Sequence, residues 1–386
     1  MLKKNNHAKF SKELDSFEKQ LSKFEGVQKS EFEIELYSEL LSLVARKSKK
    51  LKNKLRLEKI DAEKDNDPAA EILTMDQINR LPKWVSNDLE QSTIIGNSKK
   101  VIQTPDKRKY HLDNKLNDLS GGEWTFFLNS VIATRYPTSG TESYAHDIRK
   151  VHPSPKPPQL MKEIIEFFTK ENALVFDYFM GVGGTLLGAS LCNRRAIGVD
   201  LSSEYISAYK SATDALELRE QQTVQADCAK LLQNSEVCLE LFGEELIDLI
   251  LIDPPYGNMM AREKTGEAAK SKKSTDATPF TTLDEDLGNM EWERFRDVFK
   301  GTVENAVKHL KNKGHLVVFI KDLQPKAGAT NLLHADLIND INELEGVNYL
   351  GTKIWADLSV NLYPYGYPHS YVSNQIHQYI MIFRKG

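Results

Sequence analysis

Ile247-Asp-Leu-Ile-Leu-Ile252 is a nearly unbroken apolar run. A strand with one wet face alternates apolar and polar residues, so this pattern predicts a strand buried on both faces, as in the middle of a parallel sheet. Parallel neighbours need long crossover connections, usually helices. The rest of the chain must therefore supply strands alternating with helices, and from Trp124 onward it does. Strands are predicted at Leu174–Asp177, Ala196–Asp200, Thr223–Asp227, Gly314–Lys321, Val347–Trp355 and Gln378–Lys385. Helical stretches lie between them at Gln159–Thr169, Leu186–Leu191 and Leu332–Leu344, and the fold class is α/β.

The first of these strands ends in Asp177, with Phe179 and Gly181-Val-Gly-Gly-Thr185 following. Strand, glycine turn and helix in this order form the opening unit of a nucleotide-binding fold, and a dinucleotide-binding domain would share it. Asp200 closes the next strand about 20 residues on, where an acid binds ribose hydroxyls. Asp227 closes the third, placed to accept from the amine of an adenine ring. Each acid has a plainer reading as a helix cap or strand-end residue.

The buried strand itself ends in Asp253-Pro-Pro-Tyr256. Ligands of open α/β sheets sit outside the carboxyl ends of the strands. An aromatic amine is a weak nucleophile because its lone pair is delocalised into the ring. A carboxylate accepting one N–H and a backbone carbonyl accepting the other favour pyramidalisation and free that lone pair. Successive prolines stiffen the turn and remove competing N–H donors. Tyr256 suits stacking on a base swung out of its helix. These residue types point to methylation of a base amine, with Asp253, Pro254, Pro255 and Tyr256 as the catalytic group. No covalent intermediate is required, since positioning supplies most of the acceleration.

Together these motifs resemble the DNA amino-methyltransferase superfamily, which modifies adenine N6 or cytosine N4. The resemblance covers Trp124 to the C-terminus. It implies a Rossmann-like class I fold that uses S-adenosyl-L-methionine, with a mixed seven-stranded sheet, helices on both faces and a helical N-terminal extension. It also makes His152-Pro-Ser-Pro-Lys156 a cofactor-binding segment. From the residues alone, His152-Pro153 reads as a turn. The cofactor residues it implies are His152, Pro153, Ser154, Lys156, Asp177, Phe179, Gly181, Gly183, Thr185, Asp200 and Asp227. Asp at the first tetrapeptide position is the usual form in adenine enzymes of this superfamily.

The chain stops just after the last predicted strand, so no C-terminal recognition domain is expected. Three regions can take its place. Residues 1–120 are expected to form a helical, partly basic extension, and 121–386 the methyltransferase domain. Phe10, Leu14, Phe17, Leu21 and Phe24 make a seam for the chain's own domain, a homodimer or a partner subunit. A second apolar series, Phe32 to Val44, runs into eight cations between Arg46 and Lys59, either a solvated face or a phosphate contact. The basic loop Gly257–Met290 carries Lys264 and Lys272, expected to touch substrate unless it is a plain solvated loop. Asn361–Tyr371 carries Tyr363 and Tyr365, expected to stack on bases unless they pack a hairpin.

A net charge of −4 does not fit bulk attraction to a polyanion, so binding of DNA needs local positive charge or a partner. Cys192, Cys228 and Cys238 form no CxxC pair, and no Pro-Cys occurs. A disulfide framework, a zinc site and thiolate-dependent methylation of cytosine C5 are thereby excluded. No metal is expected. Without a membrane span or a secretory signal, the expectation is a cytoplasmic protein. DNA adenine-N6 methylation leads. Cytosine-N4 methylation, RNA base methylation and a non-catalytic methyltransferase-like subunit are the alternatives.

Overall fold

The computed structural model describes residues 67–259, 280–322, 332–364, 367–371 and 373–386. The expected N-terminal helices, the basic run, Lys264, Lys272 and Tyr365 lie outside the described residues. Contacts separate a small unit, represented here by Asp67 and Ile94–Lys99, from a large one of Pro68–Thr93 and Lys100–Gly386. In the small unit, Lys99 Nζ donates to the Asp67 carboxylate at 2.7 Å.

The large unit begins with short pieces. Helix α1 (Met75–Asn79) is closed by a Thr74–Gln77 capping box. Strands β1 (Val101–Gln103) and β2 (Lys109–His111) form an antiparallel hairpin, which the sequence reading missed among polar residues. Asn117 Nδ2 donates to the Phe167 carbonyl at 2.6 Å and Lys170 Nζ to the Asn117 carbonyl at 3.1 Å, tying this part to the sheet's flank. Helix α2 (Gly121–Phe127) follows, capped by Ser120 and Glu123, then strand β3 (Val131–Thr134).

The alternation then runs as predicted. Helix α3 (Pro158–Phe168) leads to β4 (Leu174–Asp177), α4 (Gly184–Leu191), β5 (Arg195–Asp200), α5 (Ser203–Ala215) and β6 (Gln222–Gln225). Two short helices, α6 (Cys228–Gln233) and α7 (Ser235–Phe242), precede β7 (Ile247–Ile252). The long helix α8 (Trp292–Lys308), β8 (Leu310–Ile320), α9 (Leu333–Asn342), β9 (Val347–Asp357) and β10 (His377–Lys385) complete the unit.

One sheet runs β3-β9-β10-β8-β7-β4-β5-β6. All pairs are parallel except those of β10, which is antiparallel to both β8 and β9. The expected seven strands are present, and β3 adds an eighth by pairing with the far side of β9. The sequence reading missed β3 because its Val131-Ile-Ala-Thr134 run is short and lies at an edge, exposed on alternate residues.

Period-two alternation divides the sheet's side chains between two cores. Phe176, Ile250, Ile252 and Val318 face α6, α8 and α9. Val175, Leu249, Leu251, Val317 and Phe319 face α3, α4 and α5. The order reverses direction between β4 and β7, which fill their common boundary at Val175–Leu249 and Phe176–Ile250. That switch point is where an open α/β sheet makes its binding crevice.

Candidate active site

A cleft of about 700 Å³ opens there. The sequence-expected residues divide into those that line it and those behind its wall. Of the cofactor group, His152, Pro153, Ser154, Phe179, Gly181, Asp200 and Asp227 line the cleft. The whole catalytic group, Asp253 to Tyr256, lines it as well, and so does Tyr363. Residues separated by some 200 positions in sequence therefore share one cavity, because β4, β5, β7 and β8 all end on the same rim.

The glycine turn sits tightly against its surroundings. Gly183 has φ +73°, and a Cβ there would lie 2.1 Å from the Tyr209 ring. Only glycine fits both the left-handed backbone and the contact. Asp200 holds this turn: one carboxylate oxygen accepts the Gly181 N–H at 2.8 Å and the other the Ser202 N–H at 2.8 Å. Burial pushes the Asp200 carboxyl up to about 6, against the pull of those hydrogen bonds. Asp227 caps α6 through the Ala229 N–H at 2.9 Å and lines the cleft.

Asp177 is enclosed rather than cleft-lining. It accepts the Phe179 N–H at 3.0 Å, and burial pushes its carboxyl up to about 7. Thr185 is buried in the first turn of α4. Asp177, Thr185, Lys156 and Asp253 border a small void of about 30 Å³ behind the cleft.

Lys156, expected beside the cofactor, meets the catalytic group in this structure. Its ammonium is buried and forms an ion pair with Asp253 Oδ2. It lies 5.3 Å above the Phe319 ring. Arg149, fully buried, donates through both terminal nitrogens to the Lys156 carbonyl at 3.1 and 2.8 Å and fixes the segment from behind. On the other side, Tyr256 donates its hydroxyl to Asp253 Oδ1 at 3.2 Å. Burial, and then the adjacent Asp253 charge, raise the Tyr256 phenol well above its ordinary range, so it stays a donor. Both carboxylate oxygens are thus held, and Asp253 lines the cleft.

Aromatic rings shape the wall near the glycine turn. His152 stacks on Phe280 at 5.1 Å and meets Tyr205 edge-on at 4.8 Å. Burial, and next the Lys156 charge, push His152 down to about 3, so the ring is a neutral surface. Opposite, the Asn374 amide clasps the Tyr363 backbone, accepting from its N–H at 2.9 Å and donating to its carbonyl at 2.8 Å.

Several lining residues escaped the sequence reading, among them Tyr205, Phe280, Lys321, Asp322, Asn361 and Gln378. For Lys321 a signal existed, since it directly follows a central strand next to the one ending in Asp253. The aromatic wall had none, because Phe280 and Tyr205 reach the cleft from separate elements.

The donor set fits S-adenosylmethionine. Carboxylates at the ends of β5 and β6 match a diol and an amine, aromatic faces flank the space between, and the volume suits a ligand together with an acceptor base. Among the described residues no cluster of His, Cys, Asp or Glu could hold a metal ion. None of their helices is long and apolar enough to cross a membrane.

Sheet order, glycine turn and strand-end acids define a class I methyltransferase that uses S-adenosylmethionine. Residues 22–211 match the family described as DNA methylase. The matched stretch holds the His152 segment, the glycine turn and Asp200 and stops short of Asp253.

A tRNA (guanine(10)-N2)-dimethyltransferase of Methanocaldococcus jannaschii is 28% identical over 38% of this chain and 41% of that protein. The type II methyltransferases M1.MboII of Moraxella bovis and M.HpaI of Haemophilus parainfluenzae are each 35% identical. They cover 18% and 19% of this chain and 27% and 23% of their own lengths. The chain thus matches well under two thirds of each relative. Among solved structures, TrmN from Thermus thermophilus aligns with 64% of this chain and 53% of its own, at 14% identity and a TM-score of 0.40.

Proposed function

We propose that this protein methylates the exocyclic amine of a base swung out of DNA, with adenine N6 as the target. The observation that carries this reading is Asp253, held at the end of β7 by Lys156 and Tyr256 in the same cleft as Asp200 and Asp227. When bound, S-adenosylmethionine supplies an electrophilic methyl on a sulfonium.

The chain's own residues act on the acceptor. Asp253 accepts one amine N–H and the Pro254 carbonyl the other, drawing the lone pair out of conjugation. The Tyr256 ring covers one face of the base, its tilt fixed by the hydroxyl bond to Asp253. His152, Ser154, Phe179, Gly181 and Asp200 surround the donor, while Lys156 serves Asp253 and not the cofactor. Asp227 meets the adenine amine of the donor from the end of β6. Tyr363 stacks beside the base, and Tyr365, Lys264 and Lys272 extend the contact to the nucleic acid. The match to the DNA methylase family supports DNA as the substrate. Asp at the first tetrapeptide position supports adenine.

RNA is the second reading. It is favoured by the archaeal tRNA methyltransferase, whose match spans twice as much of this chain as those of the two bacterial DNA enzymes. Incubation with methyl-labelled S-adenosylmethionine and either duplex DNA or RNA separates the two. Label in DNA that is lost in Asp253→Ala supports the proposal, and label confined to RNA overturns it.

A further inference from the structure

Three strand ends meet beside Asp253. In the β7–β8 pairing Leu251 lies opposite Val317, and both belong to the core on the α3–α4 side. Two residues further along each strand, on the same side, come Asp253 and Phe319, with Lys321 another two beyond. In the antiparallel β8–β10 pairing Ile320 lies opposite Tyr379, so Lys321 lies opposite Gln378. Lys321 and Gln378 therefore pair across β8 and β10 on the same side of the sheet as Asp253, two residues beyond its level, and all three line the cleft. Adjacent strands are roughly 4.8 Å apart. Asp253 and Lys321 stand one strand apart and two residues apart along the sheet, a gap that the long lysine side chain can bridge toward a ring held at Asp253.

Of these three cleft residues, Asp253 is satisfied within the protein and the other two are not. Lys321 is largely buried and has no hydrogen-bond or ion-pair partner among the described residues. The Gln378 Oε1 is buried and has no partner either. A buried ammonium without an acceptor is costly, unless a ligand supplies one. Burial and the nearby Lys156 charge lower the affinity of Lys321 for a proton, and the Asp357 charge opposes them only in part.

We infer that Lys321 donates to the ring nitrogen adjoining the amine held by Asp253, and so selects the acceptor base. This rests on the reading of Asp253 as the amine acceptor. Adenine N1 and cytosine N3 adjoin the amine and carry a free lone pair. In guanine the nitrogen on the Watson–Crick side of the amine carries a proton and would oppose the ammonium. Lys321 is then a specificity-determining residue that touches substrate, and Gln378 closes the far end of the same edge.

The test crosses a protein change with an atom change in the substrate. Wild type, Lys321→Met and Lys321→Arg are assayed on duplex DNA carrying adenine, 1-deazaadenine or 7-deazaadenine at the methylated position. Should the wild-type product be N4-methylcytosine, 3-deazacytosine takes the place of 1-deazaadenine.

We expect wild-type kcat/KM to fall roughly 10- to 100-fold when the ring nitrogen becomes C–H, the size of one lost charge-assisted hydrogen bond. The 7-deaza analogue should change it little. Lys321→Met should lose the same factor on the natural base and nothing further on the deaza base. Lys321→Arg should recover part, and S-adenosylmethionine affinity should stay within about threefold in both variants. Multiplicative losses, as from a contact to phosphate, would overturn the inference. So would a large fall in cofactor affinity. Absence of any wild-type methylation of DNA would instead defeat the underlying reading, and is seen without any variant.

Discussion

Lys156 and Asp253, 97 residues apart in sequence, meet as a buried ion pair that joins the segment before the glycine turn to the end of β7. The cofactor side and the acceptor side of the cleft are thus mechanically one unit. Removing one partner leaves a charge stranded in a poorly solvated place, which typically costs about 3–5 kcal/mol. Lys156→Met should therefore lower the melting temperature by several degrees and reduce methyl transfer at least 100-fold. S-adenosylmethionine affinity measured by calorimetry should change only a few-fold. Loss of cofactor binding with transfer otherwise intact would return Lys156 to the role the sequence suggested.

Tyr256 offers a ring and a hydroxyl, and two variants separate them. Tyr256→Phe keeps the surface and deletes the bond to Asp253, so kcat should fall about 3- to 10-fold. Tyr256→Ala also removes the stacking face and should cost a further 10-fold or more in transfer. Equal losses in single-turnover assays would show that the hydroxyl alone matters.

Gly183→Ala should damage cofactor binding through backbone geometry. The added methyl would meet the Tyr209 ring at 2.1 Å, and the left-handed φ of +73° is strained for alanine. A loss of about 2 kcal/mol or more in chemical denaturation is expected, with cofactor affinity down at least tenfold. Wild-type behaviour would mean that the turn does not approach the ligand.

Asp200 links cofactor affinity to pH. Its carboxyl protonates at about 6, and only the charged form offers acceptors to a diol while holding the Gly181 and Ser202 amides. Affinity for S-adenosylmethionine should be flat above pH 7 and fall on the order of tenfold per pH unit below 6. In Asp200→Asn the affinity should be low and nearly independent of pH across that range.

Asp177 has the opposite sense for stability. Its folded carboxyl, protonating at about 7, holds a proton through a range in which the unfolded carboxyl, near 3.8, has lost it. The folded state binds more protons there, so this residue's contribution to stability declines as pH rises from about 4 to 7. Asp177→Asn should remove that decline. Its unfolding free energy relative to wild type should rise across this window and level off above it, by on the order of a few kcal/mol in all. A difference independent of pH would contradict the buried, protonated carboxyl.

The parts of this protein that were legible in sequence are those whose signal is local. The apolar run Ile247–Ile252, the glycine turn after Asp177 and the acids at the ends of β5 and β6 each state their position within a few residues. So does the tetrapeptide, because a strand end must project its next residues toward the cleft. Residues whose role depends on tertiary approach were not legible. Lys156 looked like part of a cofactor loop because nothing near it in sequence reveals Asp253. Strand β3 escaped because an edge strand needs no continuous apolar run. Lys321 and Gln378 acquire meaning only from the register of β8 with β7 and β10.

The central claim is that the amine held by Asp253 belongs to adenine in DNA. Duplex DNA is incubated with the protein and isotopically labelled S-adenosylmethionine, digested to nucleosides and analysed by mass spectrometry. The account predicts labelled N6-methyladenine, absent with Asp253→Ala. Labelled N4-methylcytosine would keep the mechanism and change the base. Cofactor binding without any labelled nucleoside from DNA, alongside labelled nucleosides from RNA, would contradict the account.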